Sequence, residues 1–322
     1  MAISNTNTAN SKRNIIIFSE KKVLTEKTPD FDGTIFKQDT GHILFDTHGC
    51  GAEARNKLDA QIKSGERSFR EVSEEMWGSL HIPFDDGFKV MEKTLEIDPG
   101  FREFHQYCVE NGFPFHVISA GLKPVLRRVL DTFLGADSSA AIDIVANDAV
   151  INPDGSQWKP IWRHDTELGH DKALSVNEAR AEAEAACSAG EIPLIVFIGD
   201  GVSDLAAARE ADVLFARRGL RLEEYCREHD IEYTPFDTFS DIKSEIQAIS
   251  AEDQSKTGGS GLPVRFNPRA NLWRRISSKE AVPTLMAAAT PSREEKMFLW
   301  PETFSDYKPQ TIQEGDETSI AA

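Results

Sequence analysis

One stretch constrains the fold of this chain more than any other: IPLIVFIGDGVSDLAAA, residues 192–208. An unbroken apolar run rich in β-branched residues ends at Gly199 and Asp200, and an alanine-rich helical pattern follows at once. A run without polar alternation reads as a strand buried on both faces, the habit of parallel sheets covered by helices. Shorter runs of the same kind occur at residues 15–18 and in FPFHVIS, AIDIVAND and VLFA. Between them lie amphipathic helical patterns: FREFHQYCVENG, ended by Gly112; LKPVLRRVLDTF; SVNEARAEAEAACSAG, stopped at Gly190; and two more near residues 222–229 and 242–249. Alternation at this spacing predicts an α/β fold, a Rossmann-like, mostly parallel sheet with helices on both faces and right-handed crossovers.

The alternation is interrupted once. Across residues 43–96, Leu58, Ile62, Phe69, Val72, Met76 and Leu80 recur mostly at helical spacings, and strand-like runs are scarce. The expected organisation is therefore a core at residues 14–40 and 97–250, with a small helical domain at 41–96 inserted into it. Residues 1–13 are expected to be a disordered N-terminus. From residue 251 the composition AEDQSKTGGSGLP suits a flexible linker. The remainder to residue 322 is expected to be mostly disordered; the alternative is a segment that docks through Phe266, Leu272, Trp273, Met297, Phe298, Leu299 and Trp300.

A formal charge of -17 argues against general nucleic-acid or acidic-membrane binding, both of which reward a basic surface. No apolar run approaches the ~18 residues of a membrane span. Cys50, Cys108, Cys187 and Cys226 show no CxxC pairing, and the polar first thirteen residues lack a signal-peptide core. Reduced thiols and a cytoplasmic location are the expectation.

Four short elements fall where an α/β sheet places its functional loops. They are Asp30-Phe31-Asp32-Gly33-Thr34; VISAG, with Ser119 at a strand end; Lys172 in GHDKALSV, before a helix; and GDGVSD, with Asp200 at a strand end and Asp204 at a helix start. Asp200 and Asp204, four apart at a loop–helix junction, can turn towards one point. Converging carboxylates repel unless a cation lies between them, and oxygen ligands suit Mg²⁺. Asp30 is then a candidate carboxylate nucleophile towards phosphorus, and Asp32 a candidate acid and base. Ser119 with nearby N–H groups can hold phosphoryl oxygens, and Lys172 can neutralise charge. Read alone, Asp204 and Ser119 could be helix caps and Lys172 a surface lysine.

In this order the four elements resemble the haloacid dehalogenase superfamily of phosphohydrolases over residues 30–249. The helical insert resembles the cap of its phosphoserine-phosphatase-like branch. The resemblance implies Mg²⁺, an aspartyl-phosphate intermediate and a small phosphorylated metabolite as substrate. It implies metal ligation by the carboxylates of Asp30 and Asp200, by the backbone carbonyl of Asp32, and by Asp204 directly or through water. Thr34, Ser119, Ala120, Gly121 and Lys172 would hold the phosphate. Phosphoserine phosphatases generally carry serine where this chain has Gly33, and Glu74 stands where their cap arginine is sought. Arg67 and Arg70 are the nearby cations that could contact substrate. The motifs look closer to the group acting on 2-hydroxy-3-keto-5-methylthiopentenyl 1-phosphate.

One feature departs from the pattern. Residues 20–29 are mostly polar and separate the strand at 15–18 from Asp30. They can be a loop out of the sheet or an insertion that perturbs the site. The leading reading is a phosphomonoesterase acting on a small metabolite; the alternatives are a phosphoserine phosphatase or a phosphotransferase of the same fold, or a binding protein catalytically impaired by the insertion before Asp30.

Overall fold

A computed structural model describes residues 15–21, 34–187 and 193–259. Asp30 and Asp32, the terminal aromatics and Gly190 lie outside the described residues. Within them, strands β1 (Ile15–Lys21), β2 (Phe115–Leu122), β3 (Ile142–Ile151), β4 (Trp158–Ile161), β5 (Leu194–Gly199), β6 (Val213–Arg217) and β7 (Thr234–Phe236) form one sheet in the order β4-β3-β2-β1-β5-β6-β7. All neighbours are parallel except β4, which runs antiparallel to β3. The chain leaves β1 towards β2 on one side and later crosses back to place β5 on the other. This reversal opens a crevice beyond the carboxyl ends of β1 and β5.

The apolar runs work as the pattern requires, because alternate residues of each strand enter opposite layers. Ile15 and Ile17 of β1, with Val196 and Ile198 of β5, join one buried cluster; Ile16, Phe18, Ile195 and Phe197 join the other. The first layer includes α5 (Phe101–Asn111), α6 (Lys123–Leu134) and α11 (Phe239–Thr257). Its centre is aromatic: the rings of Phe101 and Phe239 meet edge to face at 4.9 Å. The second layer holds α8 (Lys172–Ala186), α9 (Leu205–Ala208) and α10 (Arg221–Glu228). The short helix α7 (Ala136–Ala140) precedes β3.

Five helices lie between β1 and β2, and four of them precede α5: α1 (Thr40–His48), α2 (Gly51–Ser64), α3 (Phe69–Gly78) and α4 (Phe84–Thr94). Their boundaries have local causes. Asp39 caps α1 by accepting from His42 N, and Ser68 with Glu71 forms a full capping box on α3. This segment is fastened to the core by the β3–β4 hairpin. Trp158 of β4 stacks on Trp77 at 6.3 Å, meets Phe84 at 5.6 Å, and donates Nε1–H to the carbonyl of Ile82 at 2.8 Å.

Two boundaries differ from expectation. Strand β1 runs on through Lys21, pairing Glu20 with Ile118 and Lys21 with Ser119, so the first two residues of the polar segment belong to the sheet. The stretch 251–257, expected to be linker, continues α11. Asp253 is buried there, one turn beyond the buried Ile249, and the helix stops only at Gly258, in the left-handed region at φ 68°. Ala, Glu, Gln and Lys are good helix formers, so a hydrophilic composition was compatible with either state.

Candidate active site

The crevice is lined from the strand ends. At the end of β5, Asp200 is buried, and its Oδ1 accepts a hydrogen bond from Thr34 Oγ1 at 2.8 Å across 166 residues of sequence. Asp204 follows one turn later. Its Oδ2 accepts from the backbone N–H groups of Asp200 at 3.1 Å and Gly201 at 3.0 Å. The carboxylate therefore clamps the loop before it and makes no cap bond to α9. Gly199 makes room for this: a Cβ there would sit 2.6 Å from Asp204 Oδ2. The glycine is required by close approach, since its φ is not in the left-handed region.

Lys172, the first residue of α8, is only 6% exposed, and its Nζ donates to Asp204 Oδ1 at 3.2 Å. It is no surface lysine. Burial pushes the Lys172 ammonium down, to about 7, against the pull of the Asp200 carboxylate. Burial likewise pushes the Asp204 carboxyl up, to about 7, against the two backbone N–H bonds that it accepts. Charged groups held this deep are a mark of functional sites.

On the other side of the crevice, Ser119 is fully buried near the end of β2, and its Oγ accepts from Gly121 N at 3.0 Å. It does not cap α6, which begins two residues after Gly121. Ser119, Ala120 and Gly121 thus form a turn closed by a side chain within the last part of β2, where its register with β3 is irregular. Asn147 donates to the carbonyl of Ala120 at 2.8 Å, and His170 Nδ1 lies 2.6 Å from the carbonyl of Ser119.

Thr34 is held from behind. Arg217, at the end of β6, donates to the Thr34 carbonyl at 3.1 Å and to Asp98 Oδ2 at 2.7 Å. Asp98 Oδ1 in turn accepts from Gly100 N at 2.9 Å and Phe239 N at 3.1 Å. Asp98 and Arg217 escaped the sequence reading because no motif lies near them, whereas Asn147 and His170 stand inside AIDIVAND and GHDKALSV and only the fold shows that they face Ala120 and Ser119.

The two candidate substrate cations have protein partners. Arg67 donates to Glu75 at 2.6 Å. Arg70 donates to Asp165 at 2.8 Å, and its backbone N–H reaches the carbonyl of Glu167 at 2.9 Å. Glu74 accepts from Trp162 Nε1 at 2.7 Å. Arg70 and Glu74 thus fasten α3 to the loop of residues 162–171 that leads into Lys172.

Two buried carboxylates and a hydroxyl make a set of oxygen donors that suits a hard divalent cation such as Mg²⁺. Among the described residues, no group of three or more His, Cys, Asp or Glu side chains forms a metal site by itself. Among them, too, no helix is long and apolar enough to cross a membrane.

The chain is an α/β protein with a mostly parallel sheet that carries Asp200, Asp204 and Lys172 in one hydrogen-bonded group beyond β5 and Ser119 near the end of β2. The chain belongs to the haloacid dehalogenase-like hydrolases, whose family profile matches residues 29–209. It is 38% identical over 227 residues to a polyol phosphate phosphatase of Saccharomyces cerevisiae, a match covering 70% of this chain and 94% of that one. It is 28% identical over 223 residues to a 2-hydroxy-3-keto-5-methylthiopentenyl-1-phosphate phosphatase of Bacillus mycoides, covering 68% and 94%. Its fold is similar to that of a substrate-bound phosphoserine phosphatase, with TM-score 0.51, 18% identity, and 73% and 98% of the two chains covered. The protein is a phosphatase of this family.

Proposed function

We propose that this protein is a Mg²⁺-dependent phosphomonoesterase that hydrolyses a small phosphorylated polyol through an aspartyl-phosphate on Asp30. The observation that carries the reading is the buried constellation of Thr34, Asp200, Asp204 and Lys172 at the carboxyl end of a parallel sheet, with Ser119 at the neighbouring strand end. The relative named for polyol phosphates supports that substrate class over a methylthiopentenyl one, being the more similar by ten points of identity, 38% against 28%.

In the proposed reaction the Asp30 carboxylate attacks phosphorus while the bond from phosphorus to the ester oxygen breaks. Asp32 gives its proton to the departing alcohol oxygen. As a carboxylate, it then takes a proton from water, whose oxygen attacks the same phosphorus and releases Asp30 and inorganic phosphate. Lys172 keeps Asp204 in place and sets positive charge beside the reacting group. Ser119 and the N–H groups of its turn hold phosphoryl oxygens. Asp30, Asp200 and Asp204 with the Asp32 carbonyl would hold Mg²⁺, which supplies positive charge for the phosphoryl oxygens when bound.

The test is Mg²⁺-dependent hydrolysis of para-nitrophenyl phosphate and of a panel of sugar-alcohol phosphates, with Asp30→Asn as control. Turnover that needs metal and disappears in the variant is expected. Metal-independent turnover, or none, would refute the proposal. A preference for phosphoserine or a methylthiopentenyl phosphate would move the substrate class.

A further inference from the structure

A loop that binds a phosphoryl group must present N–H groups to it, and its carbonyls, which carry negative partial charge, must point elsewhere. In most of a parallel sheet the neighbouring strand takes care of this. Here it does not. Strand β2 is in register with β3 up to Ile118 and Val145, and pairing resumes only at Leu122 and Asn147. Four residues of β2 advance against two of β3, so residues 119–121 lose their β3 partner.

Two side chains take over its role. Asn147, fully buried, donates Nδ2–H to the Ala120 carbonyl at 2.8 Å. His170, 2% exposed, places Nδ1 2.6 Å from the Ser119 carbonyl. A carbonyl oxygen can only accept, so Nδ1 carries the hydrogen. The far nitrogen, Nε2, then accepts from the Ser175 hydroxyl at 2.9 Å, and that hydroxyl oxygen accepts from Arg163 Nε at 3.0 Å. A second path starts on the same residue: Arg163 N donates to Asn147 Oδ1 at 3.0 Å. Arg163 is anchored in turn by Glu178 at 3.0 Å. The donors and acceptors run in one direction along both paths, from Arg163 to the two carbonyls.

The loop that delivers His170 is itself tightly built. Gly169 has φ +66°, and a Cβ there would lie 2.2 Å from the Trp162 ring. His164 N donates to the Gly169 carbonyl at 2.8 Å, and His164 Nδ1 accepts from Asp171 N at 3.0 Å. The imidazole therefore has little freedom to leave the Ser119 carbonyl.

We propose that His170 and Asn147 are positioning residues that hold the Ser119 and Ala120 carbonyls turned back, so that phosphate can displace the Ser119 hydroxyl from the Gly121 N–H and take that donor. The inference rests on reading that turn as the phosphate-binding element. Neither side chain takes part in the chemistry; both act through the backbone of the turn.

The experiment uses the full chain with His170→Leu, His170→Asn, Asn147→Ala and Ser175→Ala. Each is assayed with para-nitrophenyl phosphate at saturating Mg²⁺, with inorganic phosphate as competitive inhibitor, and by thermal unfolding. Losing one buried hydrogen bond to the turn is expected to raise the phosphate inhibition constant and lower kcat/KM about tenfold in His170→Leu and in Asn147→Ala. An asparagine amide can place its N–H near the position of Nδ1, so His170→Asn should recover most of the loss. In Ser175→Ala the imidazole keeps its Nδ1–H donor, and a smaller loss is expected. A histidine that merely fills space would change the unfolding temperature alone. Wild-type turnover together with a folded His170→Leu whose kcat/KM and phosphate inhibition are unchanged would overturn the inference while leaving the phosphatase reading intact. Should His170→Leu fail to fold, unchanged values in Asn147→Ala overturn it equally. Absence of wild-type turnover would overturn the phosphatase reading and this inference with it.

Discussion

Replacing Arg217 by methionine tests the frame behind the site. The guanidinium is 8% exposed and its partner Asp98 3% exposed, so the ion pair at 2.7 Å is screened little by water. Methionine keeps much of the side-chain volume and removes the charge. It leaves Asp98 buried with only the two backbone N–H bonds to its Oδ1. It also leaves the Thr34 carbonyl without the Arg217 bond. Stranding a buried charge typically costs 3–5 kcal/mol, and two surviving bonds on Asp98 argue for the lower end, about 3 kcal/mol. A further reason to stay low is that Arg217 Nε is buried and has no hydrogen-bond partner among the described residues, so the wild-type pair is incompletely satisfied. For a domain of this size, that corresponds to a fall in Tm of roughly 6–12 °C. The assay is thermal or urea unfolding of wild type, Arg217→Met, Asp98→Asn and the double variant. The double variant should lose much less than the sum of the singles, because a neutral amide in place of the Asp98 carboxylate is not a stranded charge. Additive losses, or a single-variant loss below about 1 kcal/mol, would refute the argument.

Gly199→Ala brings a methyl group to 2.6 Å from an Asp204 oxygen that two backbone N–H groups hold fast, so the carboxylate must shift. A displacement of that kind should cost roughly 100-fold in kcat, read in the same phosphatase assay. Trp158→Ala should destabilise by about 3–5 kcal/mol by emptying the contact between the hairpin and α3, while Trp158→Phe should lose mainly the bond to the Ile82 carbonyl, measured by urea unfolding. Burial pushes the His170 imidazole down from 6.5, to about 4. The unfolded chain therefore binds the extra proton between those values, so this contribution to stability is complete above pH 6.5 and is lost as pH falls towards 4. Asp59, which burial pushes up to about 6, acts in the opposite sense over an overlapping range, so the measurement is the difference in Tm between wild type and His170→Asn from pH 7.5 to 4.5. That difference should narrow on acidification.

The sequence made the sheet legible because both faces of its central strands are buried, which leaves apolar runs without alternation. Asp200, Asp204 and Lys172 were legible for a related reason: each stands at the boundary of a strong strand or helix, where polar residues are conspicuous. Hairpin β3–β4 was missed although Asn152, Pro153, Asp154 and Gly155 spell a turn between its strands. The four-residue β4 is too short to show a period. Arg217 and Asp98 were invisible because they lie 119 residues apart, and only folding brings them together. The same holds for Ser119 and His170, 51 residues apart. Residues 251–257 show the converse, a hydrophilic segment of good helix formers that continues α11 beyond its last buried apolar residue, Ile249.

The central claim is that Asp30 carries the phosphoryl group during turnover. Acid-quenching the enzyme during steady-state hydrolysis and mapping the modified peptide by mass spectrometry tests it directly. The account predicts one added phosphoryl group on the peptide containing Asp30 in wild type, labile to base, and none in Asp30→Asn. Turnover with no phosphorylated aspartate at any quench time, or with the group on another residue, would contradict it.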